Sequence, residues 1–450
     1  MEEMSQEQRR ASRPEGGVSL VLAGAGTGKT STLVAKARAV MGAICLPTQI
    51  LILTFSRKAA EELRTRISAG FGDEAQDIHA ATFHSFCLDL LRSYPEDTRA
   101  IGGPDGAIQV LDDEEGSGLL QDVIMPAIGG FKGLPAWLVE EYVRSYELLD
   151  AWSRRILYRA GLLDAIKGIA ERFREIKRTR NLVDYDDMMR LAVRLLEVRP
   201  KVREAALDRY RFLFVDEFQD TAADNLTLIK LLLPASGGNL FAVGDDWQSI
   251  YGFRGAQVRH ILSFRRHFPE AAVYRLTRNY RSRSEIIRFA VRFAQRNRSR
   301  TRKRLVSARG PGGLVEAVLA KGVDDEADIL RTILHRKAWG TTAVLYRNHR
   351  QGEEMKALLG AEFPHVRFMT MHASKGLEFD TVAVIGVADG IIPDPDADIE
   401  EERRLLFVAC TRARDRLFVI GRSDERGRPG RFARELGCSR PGDDVGYRAA

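Results

Sequence analysis

Short apolar runs of four to seven residues recur along the chain, each followed by a polar or glycine-rich loop and then a helical period. VSLVLA (Val18 to Ala23), ILILTF (Ile50 to Phe55), FLFVD (Phe212 to Asp216) and NLFAVGD (Asn239 to Asp245) read as buried strands of a parallel sheet. VYRL (Val273 to Leu276), AVLYR (Ala343 to Arg347), VRFMT (Val366 to Thr370), TVAVIGV (Thr381 to Val387) and RLFVIG (Arg416 to Gly421) predict a second sheet of the same kind. Leu91 to Asn181 has no strand series and reads as a mostly helical insertion into the first sheet domain. The closing stretch SRPGDDVGYRAA is polar and rich in turn formers, as in a frayed tail.

Composition narrows the class. With 450 residues, 44% hydrophobic and 29% charged, the chain is that of a soluble multidomain α/β protein. No window is apolar enough to span a membrane and MEEMSQEQRR lacks a signal-peptide core, so the expectation is a cytoplasmic protein with no membrane partner. The four cysteines are scattered without a CxxC pair, which argues against a disulfide framework or a zinc site. The net charge of +7 comes mostly from arginine, whose planar fork suits phosphate contacts. From Arg288 to Arg304 there are eight basic residues and no acid, a run that also suits a plain solvated helix end.

The chemistry begins at LVLAGAGTGKTSTLVAKA, a glycine-rich loop after a strand and before a helix. That context is a P-loop: backbone N–H groups from Ala23, Gly24, Ala25, Gly26, Thr27 and Gly28 cradle phosphates, Lys29 reaches the β- and γ-phosphates, and Thr30 ligates Mg²⁺. Ala23 stands where the strict pattern has glycine. FLFVDEFQD ends a strand with the acid such a loop needs. Asp216 would hold the Mg²⁺ shell, and Glu217 would orient or deprotonate the attacking water. Hydrolysis without an evident acceptor suggests a motor or a switch. FAVGDDWQSIYGFRGAQ, Phe241 to Gln257, is less easily read, because it packs acids, an amide, aromatics and an arginine behind one strand.

GAGTGKT, LTFSRKAAEELRTR, ATFHSF, VDEFQDT, VGDDWQSIYGFRGAQ, LTRNYRS, MTMHASKGLEFD and EEERRLLFVACTRA stand in the order of the motifs of UvrD/Rep-like superfamily 1 DNA helicases, which the chain resembles from Gln8 to about Arg416. AVGDDWQ and FMTMHASKG are closest in wording to the motor region of bacterial helicase IV. The resemblance implies an α/β fold of two RecA-like parallel-sheet motor domains, with ATP in the cleft between them and single-stranded DNA across their top. It places the first motor domain at residues 1–90 and 182–268, its helical insertion at 91–181, the second motor domain at 269–437 and a flexible tail at 438–450.

Carried residue by residue, the likeness puts Gln8 on the adenine, Tyr280 against the base, and Gln248 near the γ-phosphate with Arg254 ordering the same site. Arg281 and Arg412 would be arginine fingers, and Gly376 and Glu378 would complete the nucleotide set. Phe55, Tyr185, Tyr251 and Phe253 would stack on or reach DNA bases, a grip that tolerates any sequence. Thr82, His84 and His372 would lie near the DNA backbone or bases, although both histidines also suit a packed interior. Phe253 stands where relatives more often carry Trp, and Trp247 where many carry Asp; a domain-interface role fits Trp247 better.

Larger relatives carry a long subdomain between the segments like AVLYR and MTMHASKG. Here Asn348 to Arg367, twenty residues, fills that interval. The resulting expectation is a compact ATP-dependent 3′-to-5′ helicase or translocase acting on single strands and single-strand/duplex junctions, in repair, recombination or replication, alone or with an accessory protein. A translocase that displaces proteins with little unwinding, and an ATP-gated nucleic-acid-binding module, are the alternatives. Nothing in the sequence reads a 2′-OH, so DNA rather than RNA enters with the resemblance.

Overall fold

The structure, a computed structural model, describes residues 4–69, 77–126, 139–140, 142–143, 157–158, 161–335 and 340–440. The expected tail beyond residue 440 lies outside them. Two compact units form: one from Met1–Ala80, Tyr210–Leu226 and Ala235–Ala450, the other from Ala81–Arg209 and Thr227–Pro234.

The first unit holds two parallel sheets. In one, β1 (Val18–Leu22), β2 (Ile50–Thr54), β3 (His79–Thr82), β4 (Phe212–Val215), β5 (Asn239–Gly244) and β6 (Ala272–Arg275) run in the order β3-β2-β4-β5-β1-β6. Their near-continuous apolar sequences follow from burial on both faces: Ile50 to Leu53 and Phe212 to Val215 are closed to solvent. In the other, β7 (Leu314–Ala320), β8 (Thr342–Tyr346), β9 (Arg367–Thr370), β10 (Phe379–Val387) and β11 (Ala413–Arg422) run β7-β11-β10-β8-β9. All pairings within both sheets are parallel among those recorded.

Three expectations are corrected. VYRL belongs to the first sheet, not the second: as β6 it pairs with the open edge of β1, Ser19 opposite Ala272. A short run with partly exposed residues does not encode which sheet edge it will extend. LVEAVLA is a strand although Glu316 interrupts its apolar run, and it closes the edge of the second sheet beside β11. The tail does not begin at residue 438, since Cys438 is buried and Ser439 bridges Val318.

The second unit is helical and takes in more chain than residues 91–181. Helices Phe83–Ser93 and Tyr185–Val198 are amphipathic and pack on each other, which draws both flanks of the expected insertion into one body. It also contains a two-residue parallel pairing of Gln109–Val110 with Leu182–Val183. All four cysteines are buried and free. Among the described residues no helix is long and apolar enough to cross a membrane.

Between β8 and β9 the chain makes helix His349–Leu359 and a short turn. The basic run is not a uniform surface stripe: it comprises most of helix Ser284–Ala294 and a following loop that turns inward and buries Lys303.

Candidate nucleotide and nucleic-acid site

The phosphate loop leaves β1 and opens helix Lys29–Val40, with Gly26 at φ 64° and Gly28 at φ 82°. These left-handed conformations favour glycine, and space demands it too. A Cβ on Gly26 would meet Asn279 Nδ2 at 2.7 Å and Arg281 Cβ at 2.8 Å, and one on Gly28 would run into the Gln8 amide. Thr27 Oγ1 accepts from Gly24 N–H at 3.2 Å and donates back to the Gly24 carbonyl at 3.0 Å, which fixes the curve of the loop.

Gln8 caps its own helix by accepting from Ser5 N–H and uses its Nε2 to donate to the Thr27 carbonyl at 3.2 Å. Tyr280 N–H donates to the Gly26 carbonyl at 2.8 Å, and its buried hydroxyl has no partner among the described residues. Asn279, not singled out from the sequence, pins this corner: its Nδ2 donates to the Ala25 carbonyl while its Oδ1 accepts from Arg281 and Ser282 N–H groups. Its place inside LTRNYRS was the available signal.

At the end of β4, Lys29 Nζ lies 3.1 Å from Glu217 Oε2. Glu217 has φ 50°, a left-handed backbone unusual for a side-chain-bearing residue, which turns its carboxylate toward the loop. Burial favours a neutral Glu217, but Lys29 and Lys375 outweigh it and hold its pKa below the usual carboxylate range. Asp216 goes the other way: burial and then the Glu217 charge push it well above that range. Gln219 ties this turn to the next, donating to Glu217 Oε2 and accepting from Asp245 N–H at 2.8 Å. Burial, with a further push from Glu217, raises Asp220 to about 6 despite its ion pair with Lys375.

After β5, Gln248 is buried and its Nε2 donates to Asp245 Oδ2. Lys303 reaches in from the former basic run to pair with Asp245 and with Asp246 at 2.6 Å, and donates to the Ala23 carbonyl at 2.9 Å. Burial opposes the Lys303 charge, but Asp245 and Asp246 win and keep it firmly protonated. Trp247 is fully buried, donates Nε1–H to the Thr301 carbonyl at 3.2 Å and meets Phe407 edge-on at 5.5 Å. Trp247 thus packs between the loop at Thr301 and the ring of Phe407.

Arg281 Nε donates to Glu378 Oε2 at 2.7 Å. Arg412 is buried and donates to the Val408 and Leu377 carbonyls, at 2.9 and 3.2 Å. Burial, and then Arg281, depress the Arg412 pKa well below that of a free guanidinium, while Glu217, Asp245 and Glu378 pull the other way. Gly376, at φ 87°, forms the turn before Glu378.

Three residues past Gln248 the segment changes company. Phe253 is 68% exposed, and its ring meets His372 edge-on at 5.6 Å. Tyr251 is half-buried beneath Lys375 Nζ, 4.7 Å from the ring centroid. Arg254 lies over both rings, at 5.6 and 5.5 Å, and so stands with the aromatics rather than with the Lys29–Glu217 pair. His372 hydrogen-bonds the Ile250 backbone, and burial followed by Arg347 lowers its pKa to about 4. Phe55 is exposed at the end of β2. In the helical unit, Thr82 caps helix Phe83–Ser93 through Ser85 N–H at 3.0 Å, and His84 meets Tyr185 edge-on at 5.2 Å.

The donors available to Mg²⁺, the Thr30 hydroxyl and the Asp216 carboxylate, are hard oxygens, and Asp216 is a buried carboxyl whose charge needs a cation; the residues fit that ion with phosphate oxygens completing its shell. Among the described residues no group of three His, Cys, Asp or Glu forms a separate metal cluster.

Comparison with known proteins agrees with the motif order. The UvrD/REP helicase N-terminal domain model matches residues 4–269, and the UvrD-like helicase C-terminal domain model matches 274–365 and 353–424. The ATP-dependent DNA helicase UvrD1 of Mycobacterium tuberculosis (strain ATCC 25618 / H37Rv) is 30% identical over 411 residues, 86% of this chain and 52% of that protein. The ATP-dependent DNA helicase PcrA of Staphylococcus epidermidis (strain ATCC 12228 / FDA PCI 1200) is 32% identical over 371 residues, 78% of this chain and 49% of that one. The chain thus spans about half the length of the curated relatives it matches. The finer likeness to helicase IV rests on motif wording alone. With the N-terminal family model covering more than half of the residues and the C-terminal model most of the rest, the chain belongs to the UvrD/REP helicase family.

Proposed function

We propose that this chain is an ATP-driven DNA motor that moves 3′-to-5′ on single strands and separates duplex at single-strand/duplex junctions, in repair, recombination or replication. The observation that carries the reading is the segment Asp245–Arg254: its first residues bond to the phosphate-loop side through Lys303 and Gln219, and its last present Phe253 to solvent. One short stretch therefore answers to both nucleotide and DNA.

In this reading Gln8 and Tyr280 hold the base, Lys29 and the loop N–H groups hold the phosphates, and Thr30 and Asp216 hold Mg²⁺, which would neutralise phosphate charge. Lys29, drawn to the phosphates, leaves Glu217, whose basicity then rises. Glu217 takes a proton from the water that attacks the γ-phosphorus, and the bond to the β–γ bridging oxygen breaks to give ADP and phosphate. Arg281 and Arg412 come from the second half and meet the developing charge. Closure of the two halves then depends on the triphosphate.

The domain plan that goes with this is a first motor built on the β3-β2-β4-β5-β1-β6 sheet and running on to Arg275, a helical body of Ala81–Arg209 and Thr227–Pro234, and a second motor built on the β7-β11-β10-β8-β9 sheet with helix His349–Leu359 between β8 and β9. One observation favours the variant reading of a translocase that unwinds little: a single helix, His349–Leu359, fills the interval where larger relatives carry a subdomain. Unwinding of matched duplexes with either a 3′ or a 5′ single-stranded tail tests both. Separation from the 3′ tail alone supports the helicase, and no separation despite DNA-stimulated hydrolysis supports the translocase. Separation from the 5′ tail alone overturns the polarity.

A further inference from the structure

The loop that carries Phe253 is held from the second half by a carboxylate to which no role has yet been given. Helix Ile399–Cys410 begins at the cap Asp398, whose Oδ1 accepts from Glu400 and Glu401 N–H at 2.7 and 2.9 Å. The three acids of its first turn then diverge. Glu400 accepts from Arg298 N–H at 2.6 Å, Glu402 from Arg347 Nε at 3.1 Å, and Glu401 Oε1 from the backbone N–H of Gly252 at 2.9 Å.

The approach at Gly252 is close enough that a Cβ there would collide with the Glu401 carboxylate. Gly252 lies between Tyr251 and Phe253, so this bond fixes the backbone from which both rings project. The other end of the same helix runs into Thr411 and Arg412. Twelve helical residues span about 18 Å at the usual rise, so one stiff element reaches from the aromatic loop to the arginine beside Glu378 and Glu217.

We propose that Glu401 is a positioning residue for DNA engagement: it holds the Tyr251–Phe253 loop on the second half, and helix Ile399–Cys410 is the rod joining that loop to Arg412. The inference rests on the motor reading above. Movement of the second half about the nucleotide would displace the aromatic loop with it, because the tie is a hydrogen bond to backbone and is independent of which base lies against Phe253. A charge-assisted bond to a backbone N–H also costs little side-chain freedom when its carboxylate is already seated at a capped helix start.

The test compares wild type, Glu401→Gln and Glu401→Ala in ATP hydrolysis titrated with oligo(dT). Gln keeps an oxygen acceptor for Gly252 N–H and Ala does not. The expected result for Glu401→Ala is basal hydrolysis close to wild type with an oligo(dT) requirement for half-maximal stimulation raised about ten-fold, the scale of one lost charge-assisted bond. Glu401→Gln should lie near wild type. Gly252→Ala, which displaces the carboxylate from the other side, should raise the oligo(dT) requirement likewise and serves if Glu401→Ala folds poorly.

An unchanged requirement in Glu401→Ala and Gly252→Ala, or equal loss of basal and stimulated rates, overturns the role of Glu401. Absence of stimulation in wild type overturns the motor reading itself, and this proposal with it.

Discussion

Lys29 Nζ sits 3.1 Å from Glu217 Oε2, so the cation of the glycine-rich loop and the carboxylate proposed to activate water are each other's partner. Removing the lysine takes away the phosphate contact and the main positive charge that holds Glu217 ionised. Lys29→Ala should lower ATP hydrolysis by roughly a hundred-fold or more while leaving a folded protein that binds single strands. Retained hydrolysis in a phosphate-release assay would remove Lys29 from the site.

Phe253 offers a ring to solvent and is braced by His372 and Arg254. Stacking of one base on such a ring is worth about 1–3 kcal/mol, so Phe253→Ala should weaken single-strand binding roughly ten-fold and reduce DNA-stimulated hydrolysis more than basal hydrolysis. Phe253→Trp should recover both. Equal loss of the two rates in Phe253→Ala would contradict a stacking role.

Lys303 is buried against Asp245 and Asp246. Lys303→Met leaves two buried carboxylates without their cation, a change that costs about 3–5 kcal/mol in comparable buried pairs. Chemical denaturation should report a loss on that scale, and a loss within about 0.5 kcal/mol, the range of ordinary surface substitutions, would show that the pair is not formed in solution.

His372 has a pKa of about 4 in the folded chain, below the ordinary histidine value near 6.5. Between those two values the unfolded chain binds a proton that the folded chain does not, so this group's contribution to stability is complete above pH 6.5 and is lost as pH falls toward 4. Asp220, raised to about 6, opposes it over part of that range. The wild type should therefore lose more stability than His372→Gln between pH 6.5 and 4.5, and parallel curves in thermal melts would contradict the assignment.

Much of the candidate nucleotide site can be read from the sequence because its parts are local. The P-loop, Asp216 and Glu217 each sit beside an apolar strand that fixes their position, and a glycine pattern with a strand before it and a helix after it has few other uses. What the sequence did not disclose is long-range. Lys303 looked like one more member of a basic surface run, yet it is buried by carboxylates more than fifty residues earlier. Glu401 has no distinguishing signal within EEERRLLFVACTRA, and only the fold brings it to Gly252. Gln219, Asn279 and Lys375 lay inside quoted motifs but drew no role, since each acts on a partner from a different motif. VYRL joins the first sheet rather than the second for a related reason: strand sequence specifies pleat and burial, while the edge it joins is set by the chain around it.

ATP hydrolysis measured with and without single-stranded DNA, over a range of salt, decides whether nucleotide and DNA are coupled in this chain. The expected result is slow basal hydrolysis stimulated many-fold by oligo(dT), with the stimulation weakening steeply as salt rises because phosphate contacts release counterions. Hydrolysis indifferent to DNA at every salt concentration would contradict the reading of the Asp245–Arg254 segment as the link between the two ligands.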